Sequence, residues 1–438
     1  MEIPIEQDVD VERTLAWLHD VGGQTLAGRL EAAKAHFSAA CLPDAVTMLW
    51  PDPSELLPPD DLPAGLVLQA HALVRDRRFF DARLASRFIP FIKSIGRELP
   101  RLDRVEGARE RAIELLNPRN VHPEGSLLEL TVAARYLNEG YDLRFITETG
   151  QRTPDLELVT RAGITVQIEC KRLRSSDYEV RETKKVRTMF ALASQLALSQ
   201  GAFVCVDIVF KAALKDVPNS HMHDHMVAAL RQAPDPWIWD DETSKGSISP
   251  GNIEALRADT VDSSLLVGPK LFRLFAGQVV HSQRIVFGAR GTPHDLDPRY
   301  IDAFESIALC SWDTVSEESI SARARNVRSK LAEIDQQLHA CTLGAAHIVV
   351  DAERGADAAD ARRSKIKEQV TAFQFASPVV SLTTHYLLTH TAEETSWVID
   401  ETADVAGISS ETLLDDPRLL PRGVELGSEP AWRYAAPA

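Results

Sequence analysis

Apolar positions recur at helical spacing through VERTLAWLHDVGGQTLAGRLEAAKAHF and predict helix across the first forty residues. The following CLPDAVTMLWPDPSELLPPDDLPAG is dense in proline and acids and reads as a turn-rich connector. Helical spacing resumes from Leu66 to Leu116 and breaks at Asn117-Pro118. A new helix is expected at SLLELTVAARYLNEG, with Ser126 as its N-cap and Gly140 where it stops. In that reading Glu129, three residues after Ser126, completes a capping box. YDLRFIT then reads as a strand.

Between Thr153 and Leu173 the period changes to two. Ile164, Val166, Ile168 and Cys170 fall on one face, and Thr165, Gln167, Glu169 and Lys171 on the other, as in a half-buried strand. Upstream, Leu156 and Leu158 point inward while Asp155, Glu157 and Val159 face the other way. Arg161-Ala162-Gly163 fits a three-residue hairpin loop, with Gly163 supplying the left-handed conformation at its end. If Thr160 pairs with Ile164, then Val159 opposes Thr165, Glu157 opposes Gln167, and Asp155 opposes Glu169. Like charges opposed across a strand pair are destabilising. A hard divalent cation between the two carboxylates, with Lys171 on the same face, would cancel that repulsion. The competing reading is a solvated polar face.

A basic stretch follows (Arg172, Arg174, Arg181, Lys184, Lys185, Arg187), then a helix at TKKVRTMFALASQLALS ended by Gly201. AFVCVDIVF has the continuous apolar character of a buried strand. The order is therefore helix, three strands, helix, strand. Farther on, SHMHDH (His221, His223, Asp224, His225) is expected as an exposed loop, with metal ligation the alternative, DPWIWDDETSKGSISPGN as a linker or surface loop, and VVHSQRIVFGARG as a strand and turn. An internal echo joins VRTMFALASQL (186–196) to VRSKLAEIDQQ (327–337), aligning Gln195 with Gln336; each precedes an apolar strand, FVCVD or HIVVD. It is either a duplicated helix–strand unit extending one sheet or coincidence. ADARRSKIKEQVTAFQF reads as helix, PVVSLTTHYLLTH and TSWVIDET as a terminal strand pair, and the last twenty residues as irregular. The predicted divisions are a helical, partly basic region at 1–120, an α/β core at 121–235, a linker or insertion at 236–280, and a C-terminal α/β region at 281–438.

Composition narrows the function classes. At 438 residues, with 44% hydrophobic and 26% charged positions, the chain has an ordinary globular profile of two or three domains. Its net charge of -16 excludes a polycation coating nucleic acid, so any polyanion site must be a local patch. Residues 71–120 supply a candidate, with twelve Lys/Arg against seven Asp/Glu, a local balance of +5; intrahelical ion pairs on a solvated face are the alternative. No run reaches the roughly 18 apolar residues of a membrane span, and the acidic N-terminus lacks a signal-peptide pattern. Five scattered cysteines fit a reducing cytoplasm rather than a disulfide framework or a cysteine zinc site. Cys170, on the apolar face, reads as core rather than nucleophile. The absence of a Gly-rich P-loop argues against NTP hydrolysis.

Pro154-Asp155, thirteen intervening residues, then Glu169-Cys170-Lys171, with Glu129 on the preceding helix, resembles the PD-(D/E)xK nuclease superfamily. The resemblance covers roughly 121–210. It implies a restriction-endonuclease-like αβββαβ core, flanked here by the helical N-terminal region and the C-terminal α/β extension. By the same resemblance, Asp155 and Glu169 would bind Mg²⁺ or Mn²⁺ with the Cys170 carbonyl, and Lys171 would orient water and stabilise phosphate charge. Glu129 would be an auxiliary acid and metal ligand, and Gln195 the glutamine often found near such sites. Arg172, Arg174, Lys184, Lys185 and Arg187 would grip the backbone of DNA. The chemistry agrees: phosphodiester hydrolysis needs a nucleophile made from water and a neutralised oxyanion, and oxygen ligands suit Mg²⁺ or Mn²⁺ better than zinc. The expectation is an Mg²⁺-dependent deoxyribonuclease serving defence or DNA processing, acting as a homodimer or with a partner protein of the same system. The alternatives are a weakened or inactive nuclease-fold scaffold that binds nucleic acid, and an RNA-directed nuclease.

Overall fold

Helices form where the apolar spacing predicts them in the N-terminal region: α1 (Val9–Ala40), α2 (Leu62–Val74), α3 (Ala82–Leu102) and α4 (Ala108–Leu115). The structure is a computed structural model describing residues 8–147, 153–173, 177–261, 263–277, 284–352, 356–391, 397–407 and 413–420. Aspartates cap three of these helices: Asp8, Asp61 and Asp81 each accept first-turn backbone N–H groups. Helix α5 spans Pro123–Asn138, so it begins three residues before the expected Ser126. Proline lacks the N–H that a first turn leaves orphaned, and its fixed φ suits that position, so Pro123 sets the start. Ser126 is consequently buried inside the helix, and the capping-box reading of Glu129 is wrong. Gly140 follows the helix with φ +87°, as expected.

Strands β1 (Asp142–Phe145), β2 (Leu156–Val159) and β3 (Thr165–Arg172) form an antiparallel meander. The hairpin has the predicted register: Leu156 opposes Ile168, Glu157 opposes Gln167, and Val159 opposes Thr165. Thr160 N–H donates to Ile164 O at 2.8 Å across the loop, and Gly163 has φ +75°. Leu156, Leu158, Val166, Ile168 and Cys170 are buried, whereas Ile164, at the loop, is exposed.

Beyond β3 the chain departs from the expected order of pairing. The remaining elements are α6 (Asp177–Ser199), β4 (Phe203–Phe210), α7 (His221–Gln232), β5 (Trp237–Asp240), β6 (Ser244–Pro250), α8 (Ile253–Thr260), β7 (Leu265–Leu266), α9 (Pro269–Ala276), β8 (Ile285–Pro293), β9 (Tyr300–Thr314), α10 (Glu317–Gln337), β10 (Gly344–Asp351), α11 (Ala356–Ala372), β11 (Val379–Thr391) and β12 (Trp397–Gly407). They make two mixed sheets. The first runs β1-β2-β3-β10-β11-β12, and the second β5-β6-β4-β9-β7 with β8 also paired to β9. Thus β4, expected beside β3, lies in the other sheet, and β10 pairs parallel to β3 with Cys170 opposite His347. The echo in the sequence is two helix–strand units, α6–β4 and α10–β10, but they serve different sheets. The segments 121–235 and 236–280 are likewise not a core and a linker: residues 203–314 together build the second sheet, and the expected surface loop at 235–252 is the β5–β6 hairpin.

Each sheet is covered on both faces. One face of the first packs Leu156, Leu158, Ile168, Ala345 and Leu387 against the N-terminal helices. The other packs Ala346, Ile348, Val350 and Leu382 against Val327, Leu331 and Ile334 of α10 and Ile366 of α11. The second sheet lies between α6–α7 and α8–α9. Among the described residues no helix is long and apolar enough to cross a membrane.

The N-terminal helices touch closely at Gly96 of α3. A Cβ there would lie 1.9 Å from the Asp10 carbonyl oxygen of α1, while Arg13 Nη1 donates to Gly96 O at 2.7 Å and Thr14 Oγ1 to Ile92 O at 2.8 Å. The obstacle is backbone and cannot rotate away. Gly96→Ala is expected to cost about 1–3 kcal/mol by overpacking, read as a lower urea midpoint with an unchanged m-value.

Candidate active site

Three carboxylates converge where the β2–β3 hairpin meets α5. Asp155 sits in the bend just before β2, and its N–H donates to Ile168 O at 3.0 Å, continuing the register toward Glu169. Its side chain turns inward, where Oδ2 accepts the Cys170 N–H at 2.7 Å. Glu169 is wholly buried because β10 flanks β3 and removes it from the sheet edge. Lys171 Nζ lies 2.5 Å from Glu169 Oε1, and Glu169 Oε2 accepts no hydrogen bond from any described residue. Glu129 approaches from α5, with its Oε2 2.7 Å from Arg111 Nε of α4. Arg111 also donates to Glu114 Oε2 at 2.6 Å.

The electrostatics record the crowding. Burial, and next the Asp155 charge, push the carboxyl pKa values of Glu129 and Glu169 well above the ordinary range; Arg111 opposes the first and Lys171 the second. Burial works most strongly against the Lys171 ammonium, but Glu169, Asp155 and Glu333 together outweigh it and raise the lysine pKa. The Cys170 thiol is raised by burial, then by Asp155, Glu129 and Glu169, so it is an inert core group. Cys170 offers backbone instead. Its N–H points past the start of β2, and strand geometry turns its carbonyl to the same edge.

A divalent cation fits this donor set. The buried Oε2 of Glu169 lacks a partner, three acids repel one another, and all the side-chain donors are hard oxygens. The three acids do not form a closed cage, however. Among the described residues, the set of three ligand-type side chains with every donor atom within 4.8 Å of the others is His221, His225 and Asp241, far along the chain.

Other predicted site residues go elsewhere. Gln195 is exposed on α6 and donates to Val46 O at 3.2 Å, on the helix that covers the second sheet. The helix over the carboxylates is α10, where Gln337 Nε2 donates to Thr153 O at 3.1 Å and the Glu333 charge acts on Lys171. Arg172 is not open to phosphate: its guanidinium is buried, 2.5 Å from Asp351 and 3.8 Å from Glu124. Arg87 shares both acids, at 3.1 and 3.6 Å. Lys184 is exposed, Lys185 donates to Asn219 Oδ1 at 2.5 Å, and Arg187 donates to Trp50 O at 3.2 Å. Arg174 lies outside the described residues.

The +5 excess of residues 71–120 is largely matched in space. Lys93 pairs with Asp8, Arg97 with Asp10, and Arg109 with Asp20 and Asp103, while Arg78, Arg83 and Arg101 pair with acids of their own segment. Arg111, counted in that excess, is a residue of the carboxylate cluster; its sequence neighbours carry no signal of that role.

The raised carboxyl pKa of Glu169 sets a direction for stability. Between the ordinary value of 4.5 and the higher folded value, the folded state holds more protons than the unfolded one, so the contribution of Glu169 falls as pH rises through that window. In chelator, the stability of wild type relative to Glu169→Gln is therefore expected to decline as pH rises from 5 to 8. Urea denaturation at both pH values measures it, and Mg²⁺ should narrow the difference for wild type at pH 8.

No family model matches the chain and no curated protein is significantly similar to it, so a functional reading rests on the geometry of Glu129, Asp155, Glu169 and Lys171.

Proposed function

We propose that this chain is a metal-dependent endonuclease that hydrolyses phosphodiester bonds of DNA. The observation that carries the reading is Glu169: a wholly buried carboxylate with one oxygen that no described residue hydrogen-bonds, set beside Asp155 and 2.5 Å from the Lys171 ammonium. A purely structural acid in that position would be expected to have both oxygens satisfied.

The elements support the same reading at fold level. The succession α5, β1, β2, β3, α10 and β10, with β3 and β10 parallel, supports reading an αβββαβ core in which residues 177–316 would be an insertion. In that core Asp155, Glu169 and the Cys170 carbonyl would hold Mg²⁺ or Mn²⁺. Bound there, the metal supplies a water-derived nucleophile at neutral pH and offsets charge on the phosphate. Lys171 donates to the attacking water or to a phosphate oxygen and stays protonated through its contact with Glu169. Arg111 holds Glu129 toward the cluster and keeps the three acids from repelling the hairpin open. Lys184 and Arg181, exposed on α6, remain available to phosphates, whereas Arg172 does not.

The purified full chain is expected to cut plasmid or linear DNA in Mg²⁺ or Mn²⁺ and to stop in chelator. Asp155→Ala, Glu169→Ala and Lys171→Ala should each reduce the rate by about 10²-fold or more, in line with the loss of one transition-state electrostatic contact. Gln195→Ala should leave it unchanged. Parallel incubations with single-stranded DNA and RNA identify the substrate. Failure of wild type to cleave any of the four with either metal, or full activity in Glu169→Ala, sinks the proposal.

A further inference from the structure

The histidines expected in an exposed loop instead open helix α7, where His221 and His225 stand four residues apart on one face. Their ring centroids are 4.7 Å apart. Across from them, in the turn of the β5–β6 hairpin, Asp241 divides its two oxygens. Oδ1 accepts the N–H groups of Thr243 and Ser244, both at 2.8 Å, which fixes the turn. Oδ2 faces His225, 3.6 Å from its Nε2. One donor atom from each of the three side chains lies within 4.8 Å of the others.

We propose that His221, His225 and Asp241 bind a divalent transition metal of the zinc type, pinning the β5–β6 hairpin to α7. Two imidazoles and one carboxylate are the ligand chemistry of Zn²⁺, Ni²⁺ or Co²⁺, and disfavour Mg²⁺, which takes oxygen ligands. In a tetrahedral zinc site with bonds of 2.0–2.1 Å, neighbouring donors stand about 3.3 Å apart, so the 3.6 Å approach of Asp241 to His225 needs only a small closure. Asp241 is exposed, so a fourth position is open to water.

The surroundings suit the ion. Burial lowers the pKa of both histidines, and Asp241 and Asp224 only partly offset this, so the rings are neutral and their lone pairs available at pH 7. The Ser244 hydroxyl, 2.8 Å from His221 Nε2 and an acceptor for Trp239 Nε1 at 2.8 Å, orients the first ring. Trp239 stacks on His225 at 4.1 Å and orients the second. Trp237 Nε1 donates to His225 Nδ1 at 3.1 Å, which places the proton of the neutral ring on Nε2. Ligation through Nε2 moves that proton to Nδ1 and displaces the Trp237 N–H. Metal entry is thereby coupled to the environment of two tryptophans, and the carboxylate cluster described above takes no part.

That coupling is the readout. The full chain, stripped with chelator and dialysed, is titrated with Zn²⁺ while intrinsic tryptophan emission is followed; Mg²⁺ in large excess is the control. A saturable change at one equivalent of Zn²⁺ and none with Mg²⁺ is expected. His221→Ala and Asp241→Asn, which leave the contacts of His225 with both tryptophans in place, should weaken the response by at least about tenfold. Glu169→Ala should leave it intact, which separates this site from the proposed nuclease centre. The inference is overturned if Zn²⁺ produces no change, if Mg²⁺ matches it, if His221→Ala and Asp241→Asn both respond as wild type does, or if Glu169→Ala abolishes the response.

Discussion

The structure depends on keeping Glu169 dry. Removing a carboxylate from water costs several kcal/mol unless it is compensated, and here three acids share one region with two cations, Arg111 and Lys171, set among them. Glu169 itself stays buried because the surrounding elements cover it. Strand β10 makes β3 an interior strand, α10 lies over one face of the sheet, and α5 closes the other. On an edge strand Glu169 would turn to water and the cluster would relax into the solvated face that its polar neighbours in the sequence also allow. The parallel β3–β10 pairing is therefore as much a part of the site as the acids.

That pairing is also where sequence reasoning reached its limit. The hairpin was readable because everything that defines it is local: a period of two, buried Leu156, Leu158, Val166 and Ile168, and Gly163 at the loop's positive φ. The order α5, β1, β2, β3, α6, β4 was readable for the same reason, whereas α7 and the β5–β6 hairpin read as loops. The partner of β3 was not, because α6–β4 and α10–β10 carry one pattern, an amphipathic helix and then an apolar strand ending in Val-Asp or its equivalent. Nothing local distinguishes the unit that docks on β3 from the one that docks on β9. Gln195 was misplaced by that degeneracy, and Gln337 of α10 lies against the hairpin instead.

Charge was the second quantity that the sequence misrepresented. A run of arginines announces one sign, while its neutralising acids can lie anywhere in the chain. Arg87 meets Asp351 across 264 residues, and Arg172 meets the same aspartate across 179. Burial raises the carboxyl of Asp351, but Arg172 and Arg87 together outweigh it and leave the group ionised. What read as a phosphate-gripping surface is partly the internal electrostatics of the fold. Glu129 shows the same in reverse: a residue that local grammar assigns to a helix cap is drawn into a buried pair with Arg111.

The two sheets are joined at the point where the chain crosses between them. Helix α6 leaves the first sheet for the second and α10 returns, and their N-terminal portions meet at a buried contact in which the Ser319 hydroxyl donates to Glu182 Oε1 at 2.5 Å. Ser316, the N-cap of α10, donates to the same Ser319 hydroxyl at 2.6 Å, so the cap and the crossing are one hydrogen-bonded unit. Helix α10 also reaches the hairpin that carries the carboxylates, where Gln337 Nε2 donates to Thr153 O at 3.1 Å, so one helix contacts both the crossing and the hairpin. The two proposed metal sites differ in donor type, carboxylate oxygen at Glu169 and imidazole nitrogen at His221 and His225, and the α6–α10 crossing links the sheets that carry them.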